Sequence, residues 1–200
     1  MNRIILFLLL SDAFILTGFG LIDPILAIFI KDNLVGGEIY AAGIASTIFL
    51  LAKSFVQLPF SRFVDSHDRK ALWLIVGSLC IATVPFIYTT ANTVNDIYLA
   101  QLLHGIGSGL AFPTWLGLWS THLDKHHESY EWSLYSTITG VGTAIAAASG
   151  ALMAEFLGFD LTFMTVGAIS FIGCIFLFFI HEQDRNKKKL VRVHAPKHKR

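Results

Sequence analysis

Four ionisable side chains stand inside long apolar runs of this sequence: Asp12, Asp23, Lys53 and His104. A charge at the middle of a membrane helix costs roughly 2.5 to 3.5 kcal/mol on insertion scales, so each calls for a partner, a watery cavity or a function. Counted at about 1.5 Å of rise per residue, Asp23 and His104 share one depth and Asp12 and Lys53 another. A carboxylate beside an imidazole can exchange a proton near neutral pH, which makes Asp23 and His104 candidates for binding a small solute or coupling its movement to protons. The plainer alternative is that Asp23 satisfies backbone freed by Pro24 while His104 is a hydrogen-bonded core residue. Asp12 and Lys53 are opposite in sign, and an ion pair between them would lower the cost of burying both. A substrate or gating role, or snorkelling of Lys53 to the headgroups, is the alternative.

The elements that must position these groups follow from composition. Of 200 residues, 54% are hydrophobic and 14% charged, against about 25% charged in soluble chains. That excludes a water-soluble globule. Segments 4–30, 41–60, 72–91, 97–119, 133–155 and 161–180 each offer the roughly 20 apolar residues that a bilayer core demands. The sequence therefore predicts an all-α membrane protein, a six-transmembrane-helix bundle over 1–181 followed by a basic tail at 182–200. The run after Met1-Asn2-Arg3 is expected to remain as the first helix, since Asp12 interrupts it and no small-residue cleavage pattern follows.

Basic residues beside short loops stay cytoplasmic. With both termini inside, Arg3, Arg62, Arg69, Lys70, Lys125 and the tail cations all fall on the cytoplasmic side. Only Lys31 faces out, while Lys53 lies within the second helix. The chain should thus be an integral multi-pass protein of a plasma or inner membrane, with the lipid bilayer as its surrounding partner. A net charge of +1 with its basic excess in a tail argues against nucleic acid. Cys80 and Cys174 lie in apolar runs, so neither a disulfide framework nor a thiolate metal site is indicated. His122, His126 and His127 beside Asp124 have a metal-like spacing, but they occupy a charged loop; no metal and no cofactor are expected. No nucleophile with a plausible base and no phosphate-cradling Gly-rich loop points to an enzyme. Trp115, Trp119 and Trp132 read as interfacial anchors.

The joint between the second and third helices reads Ser61-Arg62-Phe63-Val64-Asp65-Ser66-His67-Asp68-Arg69-Lys70. It resembles the cytoplasmic signature of the major facilitator superfamily, G-x-x-x-D-R-x-G-R-K. Asp65, Arg69 and Lys70 match, while Ser61, Ser66 and Asp68 depart. Three further stretches are similar to the family in register. Residues 18–29, Gly-Phe-Gly-Leu-Ile-Asp-Pro-Ile-Leu-Ala-Ile-Phe, resemble its first helix. Gln101-Leu-Leu-His104-Gly105-Ile-Gly107-Ser-Gly109 resembles its fourth-helix R-x-x-x-G-x-G pattern, with Gln101 where proton-coupled antiporters carry Arg. Gly158-Phe-Asp-Leu-Thr-Phe163 resembles the start of its sixth.

The family has twelve helices in two parallel repeats, so the resemblance implies that this chain supplies one half. It implies secondary transport of a small-molecule solute by alternating access, with Asp65, Arg69 and Lys70 at a cytoplasmic gate. Asp65 alternatively pairs locally with Arg69. A homodimer would rebuild the architecture by twofold symmetry. A truncated half, pairing with another six-helix chain, or a membrane assembly subunit that moves nothing are the other readings. Gly142, Ala146, Gly150 and Ala154 recur at four-residue spacing in the fifth helix, where small residues let backbones approach closely. The resemblance puts that helix at the junction of halves, so Gly142, Ala146 and Gly150 are the expected dimer contact; packing within one bundle is the alternative.

Overall fold

In hydrocarbon every backbone N–H and C=O has to be satisfied within its own segment, which leaves the helix as the economical answer for runs this apolar. The computed structural model describes residues 2–67 and 69–194, with 181–194 described by backbone only. Seven helices make up the described chain: α1 Arg3–Ile22, α2 Leu26–Asn33, α3 Ile39–Asp65, α4 Lys70–Thr90, α5 Val94–His122, α6 Glu128–Leu157 and α7 Phe159–His194. They overrun the six apolar segments at most ends, and α7 carries on into the stretch assigned to the tail. Residues 195–200 lie outside the described residues.

The first span is a correction. Residues 4–30 are not one helix but α1 and α2, broken at Asp23-Pro24-Ile25. Proline has no N–H to donate and its ring clashes with the carbonyl four residues back. Asp23 N still donates to the Phe19 carbonyl at 3.0 Å, but Ile25 N tightens onto the Ile22 carbonyl at 2.9 Å before α2 begins. Pro59, Pro85 and Pro113 are instead carried inside continuous helices.

Five helices are long and apolar enough to cross a membrane by length and composition: α1, α3, α4, α6 and α7 up to Ile180. The helix α5, of 29 residues, is not in that set, being less apolar because it carries Gln101, His104, Ser108 and Thr114. It packs between α3 and α4; α4 packs on α7, α7 on α1 and α1 on α6. The series ends in α3 on one side and α6 on the other. In these two only 11% and 17% of the most apolar stretch is buried, against 44% or more in α1, α4 and α7. Opposite the basic end, Val35 N donates to the Asn92 carbonyl and Val94 N to the Val35 carbonyl, tying the α2–α3 joint to the α4–α5 joint. There Thr93 and Asp96 form a capping box at the start of α5, and the backbone N–H groups of Thr93 and Asn92 hold the Asp96 carboxyl below the usual carboxylate range.

Two packing expectations are overturned. The small-residue stripe of α6 faces α1 in the same chain. A Cβ on Gly150 would stand 2.1 Å from the Leu21 carbonyl oxygen, and one on Gly142 2.6 Å from Thr17 Oγ1. Ala146 is buried and meets Gly20. These positions pack α6 on α1 within the bundle. Trp119 and Trp115 are not interfacial anchors either: they are 0% and 6% exposed, stacked with ring centroids 5.0 Å apart, and packed on Tyr135 and the more exposed Trp132.

Gly150→Leu should therefore cost about 1 to 3 kcal/mol or more by overpacking against backbone that has no rotamer to yield. Gly140→Leu, where a Cβ would meet nothing within 4 Å, should be near neutral. Thermal unfolding of the two variants in lipid nanodiscs checks the contrast, and equal midpoints would contradict the α1–α6 seam.

Candidate functional site

A cavity of about 280 Å³ opens among α1, α3, α4, α5 and α6. That is near the lower limit of pockets that hold small organic ligands, about 300–1,000 Å³. All four ionisable residues singled out in the sequence, Asp12, Asp23, Lys53 and His104, line it. The remaining wall is mostly apolar and aromatic, with Phe19, Phe49, Phe112, Trp115 and Tyr135, and with Ser11, Ser78 and Ser108 as its small polar groups. A second cavity of about 340 Å³ adjoins it and shares Phe19, Asp23, Phe49 and His104.

Asp23 caps the end of α1 in helical conformation just before Pro24, accepts no side-chain hydrogen bond among the described residues, and lines both cavities. Its side chain does not satisfy the freed backbone, as the plainer reading supposed. His104 reaches the same space from α5. Its ring packs on Phe19 and Phe49, both centroids 4.5 Å away, stacked on the first and tilted to the second, so three rings from three helices meet on the shared wall. Asp23 and His104 are thus brought to one place, joined by the space between them and not by a hydrogen bond.

The expected Asp12–Lys53 ion pair is not formed. Asp12 accepts a hydrogen bond from the Tyr135 hydroxyl of α6 at 2.5 Å. Lys53 holds its ammonium over the Phe112 ring, 4.8 Å from the centroid. Both side chains face the cavity, but a phenol donor and an aromatic face have taken the places that each was expected to fill for the other. A cation over a ring face is attracted by the ring's quadrupole, at about 0.5 to 2 kcal/mol depending on desolvation. Tyr135 is the residue that sequence reasoning missed. The one available signal was a hydroxyl inside an apolar run, and tyrosines near a boundary ordinarily read as interfacial.

Gln101 is 5% exposed and lines the second cavity, and its Oε1 has no hydrogen-bond partner. The trio Asp65, Arg69 and Lys70 is gathered at the α3–α4 joint, since Asp65 ends α3, Arg69 caps α4 and Lys70 opens it. Asp65 pairs with Lys70, Nζ to Oδ1 3.4 Å, and not with Arg69. The Asp65 side chain is largely exposed, and such pairs contribute little to stability. Asp68 lies outside the described residues. At the facing end of α6 the buried Glu131 side chain accepts from the Asp124 backbone N–H at 3.2 Å.

The profile of the Major Facilitator Superfamily matches residues 8–199. Among curated proteins, the quinolone resistance protein NorA of Staphylococcus aureus is 23% identical over 188 residues, covering 93% of this chain and 47% of that one. A multi-drug resistance efflux pump PmrA homolog of Lactococcus lactis is 29% identical over 176 residues, covering 84% of this chain and 42% of that one. The chain therefore spans about half the length of the curated relatives it matches. In three dimensions it is similar to the POT family transporter PepTSo, with a TM-score of 0.78 over 90% of this chain and 37% of that structure, at 18% identity. That likeness concerns the fold.

The Tyr135 link is open to a direct test. Tyr135→Phe should lower stability by about 1.5 to 3 kcal/mol, the usual worth of a hydrogen bond to a charged group. Asp12→Asn added to Tyr135→Phe should cost much less than Asp12→Asn alone. Strictly additive unfolding free energies in the double-mutant cycle would dismiss the contact.

Proposed function

We propose that this chain, which belongs to the Major Facilitator Superfamily, is one half of a secondary transporter that carries a small organic solute by alternating access. Its family is one of integral multi-pass membrane transporters and not of enzymes. The observation that carries the reading is the single cavity in which Asp12, Asp23, Lys53 and His104 converge from three helices. Intramembrane charge is costly to keep, and a membrane subunit that moved nothing would have no use for four such groups around one empty space.

The second wall of the pathway comes from another six-helix unit, a second copy or a different half. Two features support this. The chain matches under half of each relative's length, and α3 and α6 leave large apolar side chains uncovered, among them Phe55, Leu58, Ile145 and Phe156. The docking face is this apolar flank of α6, not its small-residue stripe. Both termini are cytoplasmic by the distribution of Lys and Arg. Asp23, His104 and Gln101 act on the solute or on a coupled proton. Asp65, Arg69 and Lys70 close the cytoplasmic side against the partner unit. The names of the two relatives, one for quinolone resistance and one for multi-drug efflux, favour outward movement of organic compounds across the plasma membrane.

The test is reconstitution of the purified full chain in proteoliposomes, with a fluorescent quinolone as probe and an imposed proton gradient. Uptake is expected from assemblies of two six-helix units. Asp23→Asn and His104→Gln are expected to reduce it at least about ten-fold while the protein stays folded, as loss of a charged contact in a transport step would. Unchanged transport and pH dependence in both variants, or transport by a solitary chain, would overturn the reading.

A further inference from the structure

Lys53 is the unexplained charge of the cavity. The chain's carboxylate at its own depth, Asp12, is committed to Tyr135. Asp23 lies eleven residues further along the same polypeptide, about 16 Å by helical rise. What Lys53 does touch is the face of Phe112, which offsets only part of the cost of a cation in a membrane interior. Trp115, 6% exposed, gives the cavity part of its aromatic wall, while its unpartnered indole Nε1–H is itself buried. An ammonium with no carboxylate bound to it stands among aromatic rings. A ligand bringing an oxyanion and a flat apolar body would satisfy it.

Building on the reading of this cavity as the transport site, we infer that Lys53 is its anion-binding residue and that the solute it receives is an amphipathic aromatic acid. The carboxylate meets the Lys53 ammonium, and the ring system lies against Phe112 and Phe49. A charge-assisted hydrogen bond is the strongest single contact available to such a ligand in a low-dielectric site. Phe112 plays a double part, holding the ammonium in place before binding and giving the solute's body a surface afterwards. One Asp12 carboxylate oxygen is held by the Tyr135 hydroxyl on α6, and no ion pair joins Asp12 to Lys53.

The experiment uses the full chain in nanodiscs of phosphatidylcholine, which keeps anionic lipid headgroups from occupying Lys53. Binding of radiolabelled 4-phenylbutyrate, 4-phenylbutylamine and 4-phenylbutanol is compared by scintillation proximity for the wild type, Lys53→Met and Lys53→Arg. The wild type should bind the acid about ten-fold or more tighter than the alcohol, the usual worth of a hydrogen bond to a charged group. Lys53→Met should abolish that preference while leaving the alcohol unchanged, and Lys53→Arg should keep most of it. If Lys53→Met fails to fold, Lys53→Gln makes the same comparison. Tighter binding of the amine than the acid, or equal weakening of all three ligands by Lys53→Met, would overturn the role of Lys53 and leave the cavity as a solute site. Dissociation of the assembly by Lys53→Met without loss of acid preference would assign Lys53 to the contact between halves and overturn it as well. Failure of a folded wild type to bind any of the three would overturn the cavity reading itself.

Discussion

A polar side chain in hydrocarbon has to meet a donor, an acceptor, a ring face or a space that water or a solute can enter, and the bundle is arranged around that requirement. The less apolar long helix, α5, lies between α3 and α4, and its His104 and Ser108 face the cavity while its Gln101 faces the adjoining one. The crossing helices at the two ends of the series, α3 and α6, turn large apolar side chains outward. The four ionisable side chains of the apolar runs line the cavity, while the buried core itself is mostly apolar.

Two close-packed seams give the cavity its shape. Along α1 and α6 the small residues Gly20, Gly142, Ala146 and Gly150 bring backbones together, and the Asp12–Tyr135 hydrogen bond joins the same two helices. Along α3 and α5 the partners are different: a Cβ on Gly105 would meet the Phe49 carbonyl oxygen at 2.6 Å, and one on Gly109 would meet Val56 at 2.7 Å. Without a hydrophobic drive between helices, such packing is what holds pairs together. The cavity lies between these two pairs, with α4 completing its wall.

The residues that face one another across the cavity show where depth arithmetic ends. Asp12 and Lys53 sit at one depth and both reach the cavity, yet each is satisfied by an aromatic residue that depth alone does not single out. A phenol hydroxyl offers Asp12 a hydrogen bond without the desolvation of a second charge. A ring face lets Lys53 keep its ammonium toward the open space. Trp115, which looked like a boundary marker, turns out to wall the site together with Tyr135.

Composition by itself determined the membrane class and the all-α architecture and singled out four ionisable exceptions, because hydrocarbon penalises every exception to apolarity and the exceptions are few enough to name. Helix-forming runs also announced their joints, as at Gly158, whose φ of +85° ends α6. Tertiary structure alone decided which proline breaks a helix, since Pro24, Pro59, Pro85 and Pro113 look alike in the chain. It also decided which face of α6 is spent on α1, and that Asp12 meets Tyr135 while Lys53 meets Phe112. Periodicity reports which residues share a face of a helix, but which neighbour that face meets depends on how all the helices pack together.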